Sequence, residues 1–225
     1  MTYRHRFRGT MNFVAFTARS VCLTAIFFLA LSGCALTEKP VRPVMYDFGP
    51  GLLAAPPADR MAPLAPLALA DIEAGGPLDS TAVLYRLGYA DAQQLRPYAQ
   101  ARWSMPPPLL LRQRLREVLG QRRTLMSPEE AAALSRVNGT LPRTLRIELE
   151  EFSQLFESAS QSVGLLRLRA TLVESTPGGE RILAQRSVIS QRPAPSADAP
   201  GGVRALTAAA DAAVGEIAGW LQQVP

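Results

Sequence analysis

Apolar and polar positions alternate most clearly in the second half of the chain. In Thr144–Leu149, Leu145, Ile147 and Leu149 take one side while Arg146 and Glu148 take the other, which predicts a half-buried strand. The alternation breaks at Glu150-Glu151 before Phe152, so a bulge or strand end is expected there. Val163–Val173 sets Leu166, Leu168, Ala170 and Leu172 against Arg167, Arg169 and Thr171. Thr176-Pro177-Gly178-Gly179 then turns the chain and Arg181–Ser190 returns, predicting an antiparallel hairpin.

Earlier segments are shorter. Leu67–Ile72 and Ala82–Tyr89 read as strands separated by Gly75-Gly76-Pro77, with a third strand around Gln94–Gln100. Ser104 and Pro106–Pro108 announce a helix, and Leu111, Leu115, Val118 and Leu119 recur at its spacing. Ser127-Pro128-Glu129-Glu130 has the form of a capping box, so a short helix through Leu134 is expected before Asn138-Gly139. Pro193–Gly202 reads as a loop, and a last helix from about Val203 to Val224 carries Leu206, Ala210, Val214, Ile217 and Leu221 on one stripe. Its polar face holds one arginine and two acids, Arg204, Asp211 and Glu216, which favours packing on the sheet over lying on a membrane. The expected fold is α/β in the α+β sense: a mostly antiparallel sheet with two main helices on one face. Strand order is not legible.

Charge changes the picture of partners. Of 225 residues, 24 are Lys or Arg and 19 Asp or Glu, a formal +5. The first 33 residues hold Arg4, Arg6, Arg8 and Arg19 and no acid, so the rest carries 20 basic against 19 acidic residues, about +1. The basic balance belongs to that leading segment, and a nucleic-acid partner loses its main support. The one histidine, His5, lies there too, with Cys22 and Cys34 the only cysteines. Beyond it, no Ser-His-Asp site, Cys-His site or zinc cluster can be built, and no cofactor is assigned. Glu129 and Glu130 invite an acid/base reading, but no second polar cluster accompanies them and helix capping explains them better.

The first 33 residues have the organisation of a secretory signal: arginines, an apolar run Val21–Leu31, then Ser32 and Gly33. The run is well under the roughly 20 residues that cross a bilayer as a helix. Leu31-Ser32-Gly33-Cys34 resembles a bacterial lipobox, in which the cysteine thiol takes a diacylglycerol and the chain is cut just before it. Cys34 is therefore the expected lipidation site and membrane anchor. Ala35 follows it rather than an acidic residue, which favours the outer membrane with the domain facing the periplasm. Residues 34–62 are proline-rich and read as a tether; as polyproline they would reach up to about 90 Å. Within it, Tyr46-Asp47-Phe48-Gly49-Pro50 is an aromatic island suited to docking back on the domain, which is expected to span 63–225.

Several motifs then appear in a shared order: the lipobox at Cys34, Asp79–Arg86 (DSTAVLYR), Tyr98 to Arg102-Trp103 followed by prolines and a leucine helix, Leu145-x-Ile147-x-Leu149-x-x-Phe152-x-Gln154-x-Phe156, and Ala218-Gly219-Trp220-Leu221. In that order they resemble the ABC-type transport auxiliary lipoproteins, including the PqiC-like partners of MCE-type lipid transporters. The resemblance implies a non-enzymatic role beside an MCE-domain subunit and an ABC permease/ATPase complex, helping phospholipid or other hydrophobic cargo between membranes. Any ATPase lies elsewhere, because this chain has no phosphate-loop sequence and its only lysine is Lys39.

Tyr85, Arg102 and Trp103 are the candidate partner contacts. Aromatic anchors dominate interfaces, but they dominate cores as well, and for Trp103 the core is the favoured alternative. A homo-oligomer is left open. The competing reading is an outer-membrane lipoprotein that assists a barrel protein or a cell-wall synthase.

Overall fold

A computed structural model describes residues 41–51, 64–138 and 141–224. The chain divides into two units, Met1–Val41 and Arg42–Pro225, and the elements below belong to the second. In chain order they are β1 (Val44–Tyr46), β2 (Leu67–Ala74), a 3-10 turn (Gly76–Asp79), β3 (Ala82–Leu87), β4 (Asp91–Trp103), α1 (Pro107–Leu119), β5 (Leu125–Met126), α2 (Pro128–Asn138), β6 (Arg143–Phe156), β7 (Ser162–Thr176), β8 (Gly179–Pro193) and α3 (Ala199–Gln223).

Strand β6 is the axis of the sheet. Along one edge it pairs antiparallel with β7, from Thr144 opposite Val173 to Phe156 opposite Ser162. Along the other it serves two strands in turn, both parallel: β2 beside Arg143–Leu149 and β3 beside Gln154–Phe156. The path continues as β1-β4-β3-β6-β2-β5, with β8 beyond β7. Antiparallel ladders β3–β4, β6–β7 and β7–β8 carry most of the pairing, as expected.

The broken alternation at Glu150-Glu151 is a bulge. Leu149 faces Leu168 and Glu151 faces Arg167, so β6 holds one residue more than β7 between them. That extra residue switches parity: Leu145, Ile147 and Leu149 are buried before it, Phe152, Gln154 and Phe156 after it. One strand thus keeps its apolar set inward along its whole length. Glu150 itself turns to the polar face, accepting from Arg167 at 2.9 Å and Arg169 at 2.5 Å.

Two helices cover the other face. The stripe Leu111, Leu115 and Leu119 of α1 and the stripe Val203, Leu206, Ala210, Val214, Ile217 and Leu221 of α3 are buried in one core with the inward residues of β2, β6 and β7. Helix α3 begins at Ala199, four residues before the expected start at Val203. Asp198 caps it, its Oδ1 accepting from Gly201 N–H at 2.7 Å, and Pro200 is tolerated in a first turn where no N–H partner is needed. Helix α2 has the reciprocal box its sequence predicts: Glu130 N–H donates to Ser127 Oγ at 3.2 Å and Ser127 N–H to Glu130 Oε2 at 2.7 Å.

The aromatic island docks. Val44–Tyr46 pairs in parallel with Ala101–Trp103, and Phe48 is buried with its ring 5.6 Å from Trp103, edge on, and 5.8 Å from Phe152. Arg114 of α1 donates to the Phe48 carbonyl and so fixes the segment from the helix side. Burying such a ring stabilises by about 1.5–3 kcal/mol, enough to hold a short strand that propensity alone would not form.

Candidate functional site

The C-terminal end of β6 brings polar side chains into the core beneath a rim of tyrosines. Strands β3 and β4 place Tyr85 and Tyr98 side by side, ring centroids 4.6 Å apart, with Phe156 6.0 Å from Tyr85. The Tyr98 hydroxyl donates to Gln154 Oε1 at 2.8 Å, and Gln154 Nε2 donates to Ser162 Oγ at 2.8 Å. Gln154 is fully buried, so these bonds replace the water it has lost. Burial, reinforced by Tyr85 and Asp198, pushes the Tyr98 phenol above its ordinary value, and it stays a donor.

Helix α3 lies directly on this network because glycines allow it. A Cβ on Gly202 would run into Gln154 Oε1, and one on Gly164 would run into the backbone of Ala205 and Leu206. A second cluster shares the same end of β6. Arg86 grips Glu151 with two donors, Nε to Oε1 at 3.3 Å and Nη2 to Oε2 at 3.0 Å, while Ser153 Oγ donates to Oε1 at 2.6 Å. Arg86 Nη1 also donates to the carbonyls of Ala92 and Gln93, tying the β3–β4 turn to the bulge. These side chains are matched to one another; what the site presents outward is the half-buried Tyr85–Tyr98 pair and, in the turn, the exposed Tyr89.

Of the candidate contacts, Tyr85 sits in this rim. Arg102 is half-buried on β4, its guanidinium turned back onto the carbonyls of Tyr98 and Ala101. Trp103 takes the core alternative favoured for it: at 1 % exposure its ring packs between Phe48 and Phe152 and offers no surface as a partner contact. Cys34 and the segment before it, expected to be a signal, lie outside the described residues. Sequence reasoning does not single out Gln154, Arg86 or Glu151 as a site. A signal for the first lies in Phe152-x-Gln154-x-Phe156, where an amide holds an inward position between two inward rings. Among the described residues no group of three or more His, Cys, Asp and Glu could hold a metal, and no helix is long and apolar enough to cross a membrane.

A family model described as "ABC-type transport auxiliary lipoprotein component" matches residues 46–218, from Tyr46 of β1 to within α3. The chain belongs to this family. Its members are envelope lipoproteins that accompany an ABC transporter, so the site described above belongs to an auxiliary transport component. No curated protein matches the sequence. Among solved structures, a Xanthomonas campestris protein is similar at 19% identity with a TM-score of 0.63, covering 80% of this chain and 96% of its own. Another, of a protein described only as uncharacterized, is 13% identical with a TM-score of 0.55, covering 80% of this chain and 99% of its own. Both are likenesses of fold.

Proposed function

We propose that this auxiliary lipoprotein is a non-enzymatic adaptor, held by lipid on Cys34 in the outer membrane with its domain in the periplasm. There it joins an MCE-domain subunit and an ABC permease/ATPase complex that moves phospholipid or other hydrophobic cargo across the envelope. The family match over 46–218 carries this reading, and the lipobox-like Leu31-Ser32-Gly33-Cys34 behind a basic, apolar leader supports the anchor. The proposed docking face is the β3–β4 rim with Tyr85 and Arg102. It adjoins the part of β4 before Ala101, which has no strand partner on its second edge among the described residues.

Purification of the full chain from membranes in gentle detergent tests the proposal. An MCE subunit or permease should copurify, and Tyr85→Ala with Arg102→Gln should reduce its recovery while the variant still unfolds in one cooperative transition above the purification temperature. Recovery of a barrel protein or a cell-wall synthase instead, or of no transporter subunit at all, would overturn it.

A further inference from the structure

At the other end of β6, a stretch of strand up to about 40 Å away at 3.3 Å per residue, an apolar groove of about 640 Å³ opens between the start of β2, the start of β6, α2 and the end of α3. Its size falls in the range of small-molecule sites. Leu64, Leu134, Leu141 and Leu221 line it, and Leu134 and Leu141 are 43% and 41% exposed, which costs solvation unless something covers them.

Two arginines stand in the same wall, Arg123 and Arg143. Arg123 is half-buried, its Nε is enclosed without a hydrogen-bond partner, and no carboxylate pairs with it among the described residues. Burial and the neighbouring Arg122 both disfavour its charge, so the guanidinium is held where a counter-charge is missing. The groove's one acid, Glu174, is already engaged by Arg181 at 2.7 Å.

The backbone around the groove offers little to an added peptide strand. Leu64 N–H donates to Arg122 O at 2.7 Å and Leu67 N–H to Thr124 O at 3.0 Å, while β2 is paired with β5 on one edge and β6 on the other. Pro66 and Pro142 have no N–H to give. Recognition is left to apolar side chains and a cation. The geometry points to a binding site for one acyl chain of an anionic lipid, the chain along Leu134, Leu141 and Leu221 and the head group on Arg123. This goes beyond the adaptor reading, because the groove and the tyrosine rim lie at opposite ends of β6 and binding needs no transporter.

The test is photocrosslinking of the full chain, held in zwitterionic nanodiscs, with a diazirine-bearing oleate, followed by peptide mapping. Label should concentrate on the peptides that contain Leu134, Leu141 and Leu221. Unlabelled oleate and lysophosphatidylglycerol should compete, the first as a carboxylate and the second as a phosphate, while oleyl alcohol should be weaker by about tenfold or more, the worth of one charge-assisted hydrogen bond. Arg123→Gln should lose the preference for anions, Arg123→Lys should keep part of it, and the exposed Leu134→Ser should lower labelling by either route. Equal competition by oleyl alcohol, labelling indifferent to Arg123→Gln, or label spread evenly over the surface would each overturn the site. So would protection of the groove by a second copy of the chain, seen as crosslinked dimer. None of these outcomes depends on whether an MCE subunit copurifies.

Discussion

The hydroxyl of Tyr98 on β4 is bonded to the buried amide of Gln154 on β6, 2.8 Å away and 56 residues along the chain. Through Ser162 the same amide reaches β7, and Gly202 lays α3 on top of it. One glutamine therefore registers two strands and a helix at the end of the sheet that carries the proposed docking face.

Removing the hydroxyl should show this. Tyr98→Phe leaves Gln154 Oε1 without its donor in a dry site, which costs about 1–3 kcal/mol. Urea unfolding measures it.

The same phenol sets an alkaline limit. Its folded value lies above the ordinary 10.0, so below that pH both states keep the proton and the stabilisation is whole. Above it the unfolded chain ionises first, and stability falls as pH rises. Unfolding curves between about pH 8 and 11 should show that slope in the parent and a shallower one in Tyr98→Phe.

Glycines in the helical layer separate by contact. Gly164→Ala drives a methyl into the backbone of α3 and should destabilise by about 1–3 kcal/mol or more, because neither partner is a movable side chain. Gly215→Ala meets nothing within 4 Å and should stabilise by about 0.5–1 kcal/mol. Thermal melts of the two variants should move in opposite directions.

Asp198 supplies the cap of α3, and its carboxylate is held below the usual range by Ser196 Oγ and then by Gly201 N–H. Its contribution is present above the ordinary 3.8 and is lost as pH falls through the lower folded value. Asp198→Ala should cost about 1 kcal/mol at neutral pH, and Asp198→Asn much less, since asparagine caps without titrating. Denaturant midpoints at pH 7 check both.

At the bulge, Arg86→Leu strands a carboxylate whose side chain is 11% exposed, and should cost about 1.5–3 kcal/mol. Arg86→Leu combined with Glu151→Leu should cost less than the two single changes added, and a double-mutant cycle reads the coupling.

Elements whose stability is local are legible in the sequence itself. The β7–β8 hairpin has its turn chemistry and alternation in one contiguous stretch, the bulge of β6 announces itself as a broken period, and Ser127 and Glu130 cap α2 from three residues apart. What stays hidden depends on distant partners. Strand β1 has no period of its own; Val44–Tyr46 is a strand because Ala101–Trp103 offers a ladder. The start of α3 is concealed in a Pro-, Ala- and Gly-rich stretch that looks like a loop until Asp198 is recognised as a cap. The inward place of Gln154 can be read from the rings on either side of it, but its partners Tyr98 and Ser162, on two other strands, cannot. The groove draws Leu64, Leu134, Leu141 and Leu221 from four separate places in the chain, and no single window contains it.

The clasp at Val44–Phe48 also has a mechanical side. A pull on the chain upstream of Val44 loads the parallel β1–β4 ladder before it reaches the rest of the sheet, and Phe48 must leave its slot between Trp103 and Phe152 for the strain to travel further. The body behind it is thereby shielded from tension at its own front end, like a load taken by the hitch instead of the frame.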